Sequence, residues 1–189
     1  MIATDASRLY CFDFDDTLAV TSSRILTKSG PLTSREYAER KSFVCVEDGG
    51  FSEFEDPEAD LYPGPCCEVF LGALKSRSPI AVVTARSIPR EGLKRMLSRL
   101  VDASGHSDLN PDYVQVYSCG SSDFSTEEVR SRPAGARKAW AVLDFLTRNP
   151  QAASIGFSDD DADNLAQVSE LFEQIGPQFP RVRFRLYKC

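Results

Sequence analysis

Carboxylates and hydroxyls gather in this chain where apolar runs stop. Leu9-Tyr10-Cys11-Phe12 runs into Asp13-Phe14-Asp15-Asp16-Thr17, and Pro79-Ile80-Ala81-Val82-Val83 stops at Thr84. Ser154-Ile155-Gly156-Phe157 runs into Ser158 and then four aspartates within five residues: Asp159, Asp160, Asp161 and Asp163. Asp13 and Asp15 lie two apart, so on extended backbone both project to one side. In such a pair one carboxyl can attack while the other moves protons, a division that environment tunes. A carboxylate that attacks phosphorus gives an acyl phosphate. Thr84 offers a hydroxyl to a phosphoryl oxygen, and Lys138 a balancing charge. Carboxylates brought together repel one another and need a cation to ionise together. Oxygen donors without His or Cys pairs select a hard metal such as Mg²⁺.

These groups must be placed by the elements that carry them. Apolar runs alternate with helical patterns, the mark of an α/β fold with a largely parallel sheet. Further strands are read at 113–117 and, with strict alternation, at Val182-Arg183-Phe184-Arg185-Leu186, an edge strand with one wet face. Leu93, Met96, Leu97, Leu100 and Val101 form one helical stripe. Trp140, Leu143 and Leu146 mark a second helix beginning near Gly135. Leu165, Val168, Leu171, Phe172 and Ile175 mark a third, closed by Gly176-Pro177. In an open parallel sheet ligands bind beyond the carboxyl ends of the strands, so the polar groups above meet at one edge. The fold expected is a doubly wound, three-layer, Rossmann-like α/β domain spanning 1–189, in the order third, second, first, fourth, fifth strand. Residues 18–64 are irregular, with a capping box at Thr33-Ser34-Arg35-Glu36 and Leu32 and Tyr37 as its staple. They are read as a flap or miniature cap within the domain.

The ordered set Asp13-Phe14-Asp15-Asp16-Thr17, Ile80-Ala81-Val82-Val83-Thr84, Lys138 and Phe157-Ser158-Asp159-Asp160-Asp161-Ala162-Asp163 resembles the haloacid dehalogenase (HAD) superfamily over residues 9–163. That resemblance implies a Mg²⁺-dependent phosphomonoester hydrolase. Asp13 is then the nucleophile and a metal ligand, and Asp15 the acid/base, lending its backbone carbonyl to the metal. Thr84 and Lys138 hold the phosphoryl group, and Thr17 belongs with the substrate-binding groups. Asp159 completes the metal shell with Asp160 or Asp163, the register being open between Asp159/Asp163 and Asp160/Asn164. Asp15 favours phosphatase or phosphomutase chemistry over the family's dehalogenases, which lack it, and its ATPases, which carry Thr there. Leu32 to Ala38 resembles small phage and viral phosphatase-like members, which implies an intracellular setting such as a virus-infected host cell.

The same residues admit other readings. Asp159 to Glu170 overlaps a calcium loop, but Asn164 replaces the turn glycine and the flank is strand-like. A receiver domain places its lysine after the acidic cluster, the reverse of the order here. Arg86 is read either as part of a solvated helix face or as a fork that grips an anionic leaving group. The second reading suits a polynucleotide 3′-phosphatase or nucleotidase. The alternative from another class is a catalytically silent HAD-like module that keeps the metal cluster. The partner expected is a phosphorylated small molecule, a nucleotide or a nucleic-acid end.

Length and composition bound these readings. The 189 residues suffice for one core. A net charge of -6 argues against a nucleic-acid coat, which needs Lys and Arg to release counterions. No apolar run approaches the ~20 residues needed to span a bilayer, and Met1 to Arg8 lack the apolar stretch expected of a signal peptide. The six cysteines form no C-x-x-C pair, and His106 alone could complete a zinc set, which argues against one. A cytoplasmic setting with free thiols is expected.

Overall fold

The computed structural model describes residues 7–122 and 124–189. Five parallel strands form the central sheet: β1 (Arg8–Phe12), β6 (Ile80–Thr84), β7 (Gln115–Ser118), β8 (Ser154–Asp159) and β9 (Arg183–Lys188). Their order is β7-β6-β1-β8-β9, as expected from sequence. Side chains alternate across the sheet because successive Cβ atoms point to opposite faces. Phe12, Ile80, Val82 and Val116 pack on one face against α2 (Cys67–Lys75) and α3 (Arg90–Ala103). Leu9, Cys11, Ala81, Val83, Ile155 and Phe157 pack on the other against α5 (Ala134–Thr147) and α6 (Ala162–Ile175). The result is a three-layer α/β sandwich with its core on both sides of the sheet.

The helix at 134–147 differs from its expected stripe. Ala139, Val142, Phe145 and Leu146 are its core residues, whereas Trp140 and Leu143 are half-buried flanks.

The chain leaves β1 through a tight loop. Asp16 takes a positive φ of 54°, a conformation that Asp tolerates better than most residues, and turns the chain away from the sheet. Residues 18–64 then form two small antiparallel pairs, β2 (Ala19–Thr21) with β5 (Leu61–Pro63) and β3 (Ile25–Thr27) with β4 (Gly30–Leu32). The capping box on α1 (Ser34–Arg40) is present, with Thr33 and Glu36 exchanging bonds. The segment closes where Gly64 N–H donates to Leu18 O at 2.7 Å. A Cβ on Gly64 would lie 2.7 Å from Thr17 O, so only glycine lets the two ends meet. A short α4 (Glu127–Arg130) precedes α5.

The cysteines correct one expectation. Cys66 and Cys189 form a disulfide across 123 residues, while Cys11, Cys45, Cys67 and Cys119 are free. No motif spacing announces the bridge; β9 carries Cys189 over to the loop that opens α2. Among the described residues no helix is long and apolar enough to cross a membrane.

Candidate active site

Parallel pairing brings the ends of β1, β6 and β8 to one edge of the sheet, where they meet the first turns of α5. Asp13 follows β1, and its N–H donates to Ser158 O at 2.8 Å, locking it beside the end of β8. Lys138, on α5, lies only 3% exposed and reaches down between two strand ends. Its Nζ donates to Asp13 Oδ1 at 2.6 Å and to Asp159 Oδ2 at 2.8 Å. Asp159 is fully buried and also accepts from the Asp161 N–H at 2.9 Å and from Asn164 Nδ2 at 3.2 Å. Thr84 ends β6, and its Oγ1 accepts from the Arg86 N–H at 3.2 Å. Gly120 lies against the backbone of Ala85 and Arg86, which seats the loop after β7 beside Thr84.

Asp13, Asp159 and Asp160 offer oxygens that all lie within 4.8 Å of one another. Burial pushes the Asp13 carboxyl well above the usual range; Lys138 pulls it back, and Asp159 and Asp15 add to the rise. Burial, then Asp159 and Asp16, raise Asp160 to about 6. Burial also works against charge on Lys138, yet Asp13 and Asp159 outweigh it and hold the ammonium above its ordinary value. One ammonium thus faces three carboxylates, and the cluster lacks positive charge. A hard cation supplies what this all-oxygen donor set lacks, so the residues fit a metal ion.

Asp15 and Arg86 form a second buried pair. Arg86 Nε and Nη2 donate to Asp15 Oδ2 and Oδ1 at 2.9 and 2.7 Å, a two-pronged contact. Its Nη1 donates to Phe54 O at 3.1 Å, and Nη2 also reaches Thr21 Oγ1 at 2.9 Å. The guanidinium lies 4.6 Å from the centroid of the Phe54 ring. Arg86 is therefore buried among residues of the 18–64 segment and directed at Asp15.

Of the remaining residues, Arg137, Asp161 and Asp163 line the same cavity but bond to other partners. Thr17 is fully buried with no partner for its Oγ1, and it does not line the cavity. Asp163 is 75% exposed and pairs with Lys41 at 2.7 Å, outside the trio of carboxylates. Asp161 caps α6 and takes the other contact of Lys41, at 2.8 Å. Burial alone would raise the Asp161 carboxyl, but the Lys41 hydrogen bond and the Asp163 N–H hold it below the usual range. Arg137 turns aside and donates to Cys119 O at 2.6 Å.

Asp13, Thr84, Lys138 and Asp160 open into one cavity of about 770 Å³. Tyr37, Lys41, Phe51 and Phe54 line its other side. Sequence reasoning named none of these four as site residues, because nothing near them in the chain marks a site, whereas Asn164 was already offered by the Asp160/Asn164 register and bonds Asp159 instead. The one available sign was the capping box, which already placed a helix start at Ser34.

No family model matches the chain, and no curated protein does. Among solved structures the chain is similar to the HAD domain of the effector protein Lem4 from Legionella pneumophila. The match has a TM-score of 0.47 and 14% identity, covering 96% of this chain and 86% of that one. An inactive mutant of the same domain matches at the same score and identity, with 85% of it covered. Likeness at that distance identifies neither family nor activity.

Proposed function

We propose that the protein is a Mg²⁺-dependent phosphomonoester hydrolase that works through an aspartyl phosphate on Asp13. The observation that carries this reading is Lys138, buried and bridging Asp13 and Asp159 at the floor of an open cavity. Lys138 occupies Oδ1 of Asp13, which leaves Oδ2 to attack phosphorus. The phosphorus–oxygen bond to the leaving group breaks, and Asp15 gives that oxygen a proton, releasing the alcohol. Water then attacks the phosphorus while Asp15 takes its proton. The bond to Asp13 breaks and inorganic phosphate departs. Thr84 and Lys138 donate to the phosphoryl oxygens as charge develops there.

Asp13, Asp159 and Asp160 would hold the Mg²⁺, with the backbone carbonyl of Asp15. When bound, the ion neutralises the carboxylates and polarises a phosphoryl oxygen. Arg86 is assigned a positioning role here. Its fork and the Thr21 hydroxyl, at 3.4 Å, take three of the roughly four acceptor sites of the Asp15 carboxylate and leave one for proton transfer. The nucleic-acid-end reading leaned on Arg86 gripping the leaving group, and an Arg86 engaged in this way does not support it. Action in the cytoplasm is part of this reading, and there the half-buried Cys66–Cys189 bridge would face a reducing pool.

The test is phosphate release from nucleotides, 3′-phosphorylated oligonucleotides, sugar phosphates and p-nitrophenyl phosphate, with Mg²⁺ or with EDTA. Turnover is expected only with Mg²⁺, falling by about 10⁴-fold or more in Asp13→Asn. A folded protein whose Tm rises with Mg²⁺, but no further with beryllofluoride, and which turns over nothing, refutes the proposal. That result would leave a metal-binding module.

A further inference from the structure

Ser34, Tyr37, Ala38 and Lys41 line the cavity, and their spacing is that of one helical face. That face belongs to α1, a helix that buries none of its residues. Tyr37 meets Phe51 edge to face at 5.5 Å, and Phe51 meets Phe54 at 6.4 Å. Three rings thus run along the roof opposite Asp13 and Lys138. Phe54 is buried and held over Arg86, whereas Tyr37 is half-buried and Phe51 is 45% exposed. Lys41 is engaged by Asp161 and Asp163, so it does not present a free ammonium to a second anion. On this side of the cavity hydroxyls come only from Ser34 and Tyr37, while the polar Ser87, Arg137, Asn164 and Gln167 line it elsewhere. Ring edges and faces prefer other rings over saturated groups of the same size.

We infer that Tyr37 and Phe51 select phosphate esters whose leaving group carries a flat aromatic ring. The inference rests on the reading of Asp13 as phosphoryl acceptor, which puts the leaving group in this cavity. A volume of about 770 Å³ is within the range of small-ligand sites and has room for a phosphoryl group with a ring beyond it. The ring either sits on the ester oxygen, as in an aryl phosphate, or one sugar away, as in a nucleotide.

Calorimetry on Asp13→Asn with Mg²⁺, which does not consume the probe, separates these cases. Phenyl phosphate is compared with cyclohexyl phosphate, and adenosine 5′-monophosphate with ribose 5-phosphate. In at least one pair the ring-bearing ester binds about twofold to tenfold tighter than its ringless partner. The pair with the larger gain tells whether the ring is joined directly or through a sugar. Tyr37→Leu and Phe51→Leu, added singly, abolish the gain while leaving Tm nearly unchanged, since neither ring is buried. Equal affinities within both pairs, a gain that survives both substitutions, or no binding of any probe overturns the inference. Hydrolysis by the wild type of ringed and ringless esters alike, with equal affinities, defeats ring selection and leaves the hydrolase reading standing. Ring-selective binding without turnover of any ester keeps ring selection and defeats the hydrolase.

Discussion

Two lysines in this molecule do the same thing in different surroundings. Lys138 bridges Asp13 and Asp159 at 2.6 and 2.8 Å, and Lys41 bridges Asp161 and Asp163 at 2.8 and 2.7 Å. Both grip the segment 159–163. The side chains of the first trio are 3, 6 and 0% exposed, whereas those of the second are 32, 21 and 75% exposed. Bond lengths therefore do not rank these contacts; water does. Charges removed from water are costly to leave unpaired, while exposed pairs gain little and are screened by salt. Lys138 is a fixed part of the floor. Lys41 is a weak latch between the end of α1 and the start of α6.

The contrast is broken most directly at Lys138. Lys138→Met leaves Asp13 and Asp159 buried without their counter-charge, and a stability loss of about 3–5 kcal/mol is expected in urea unfolding. Turnover should fall about 10²–10³-fold as well. A loss of less than about 1 kcal/mol would mean that burial does not set the two lysines apart. Arg86→Lys keeps the charge but loses the fork that holds Asp15. It should lower kcat about tenfold or more with little change in KM, which steady-state kinetics reads directly.

Neither lysine bonds Asp160, the third carboxylate of the cluster, so its titration tests what an unpaired neighbour of these lysines does. Its folded value of about 6 lies above the ordinary value of about 4. Protonated Asp160 therefore contributes stability that is complete below about pH 4 and is lost as pH rises through about 6. Mg²⁺ competes with that proton, so the rise in Tm it causes should grow over the same window. Thermal melts of the metal-free and Mg²⁺-loaded protein between about pH 4.5 and 7.5 check this, and a Mg²⁺ effect independent of pH would count against it. The smallest effect is expected at Lys41. Lys41→Met should cost less than about 1 kcal/mol, and that difference should vanish in about 1 M salt while the Lys138 effect persists.

Which residues were legible in the chain follows from how each is placed. Asp13, Thr84 and Asp159 sit at the ends of strands, and a parallel sheet brings strand ends together whatever the details of the loops. The strands themselves were readable because four of them are short apolar runs with a polar stop, and the fifth, β9, alternates strictly as an edge strand does. Lys138 was readable because the first turns of a helix face the same edge. Long side chains were another matter. Arg86 reaches Asp15, 71 residues away, and Lys41 reaches Asp161, 120 residues away. Their targets depend on how 18–64 folds back, and that segment has little apolar periodicity to betray its path. Thr17, two residues past Asp15, goes under the loop because Asp16 turns left-handed. Trp140 and Leu143 pack against the core as partly buried flanks, while Ala139, Val142, Phe145 and Leu146 form the buried face of their helix.

The bond between Cys66 and Cys189 makes a closed ring of the chain from one to the other, and residues before 66 lie outside that ring. That ring contains α2, α3, α5, α6 and four of the five sheet strands, whereas β1 and the aromatic roof lie outside it. One backbone cut anywhere within the ring leaves the pieces covalently joined. A protease nick there would give a single band on a non-reducing gel and two once the thiols are freed. A nick in 18–64, by contrast, would release a fragment even without reductant once the protein is denatured. Limited digestion run on paired gels thus maps whether a cleaved site belongs to the roof or to the ring beneath it.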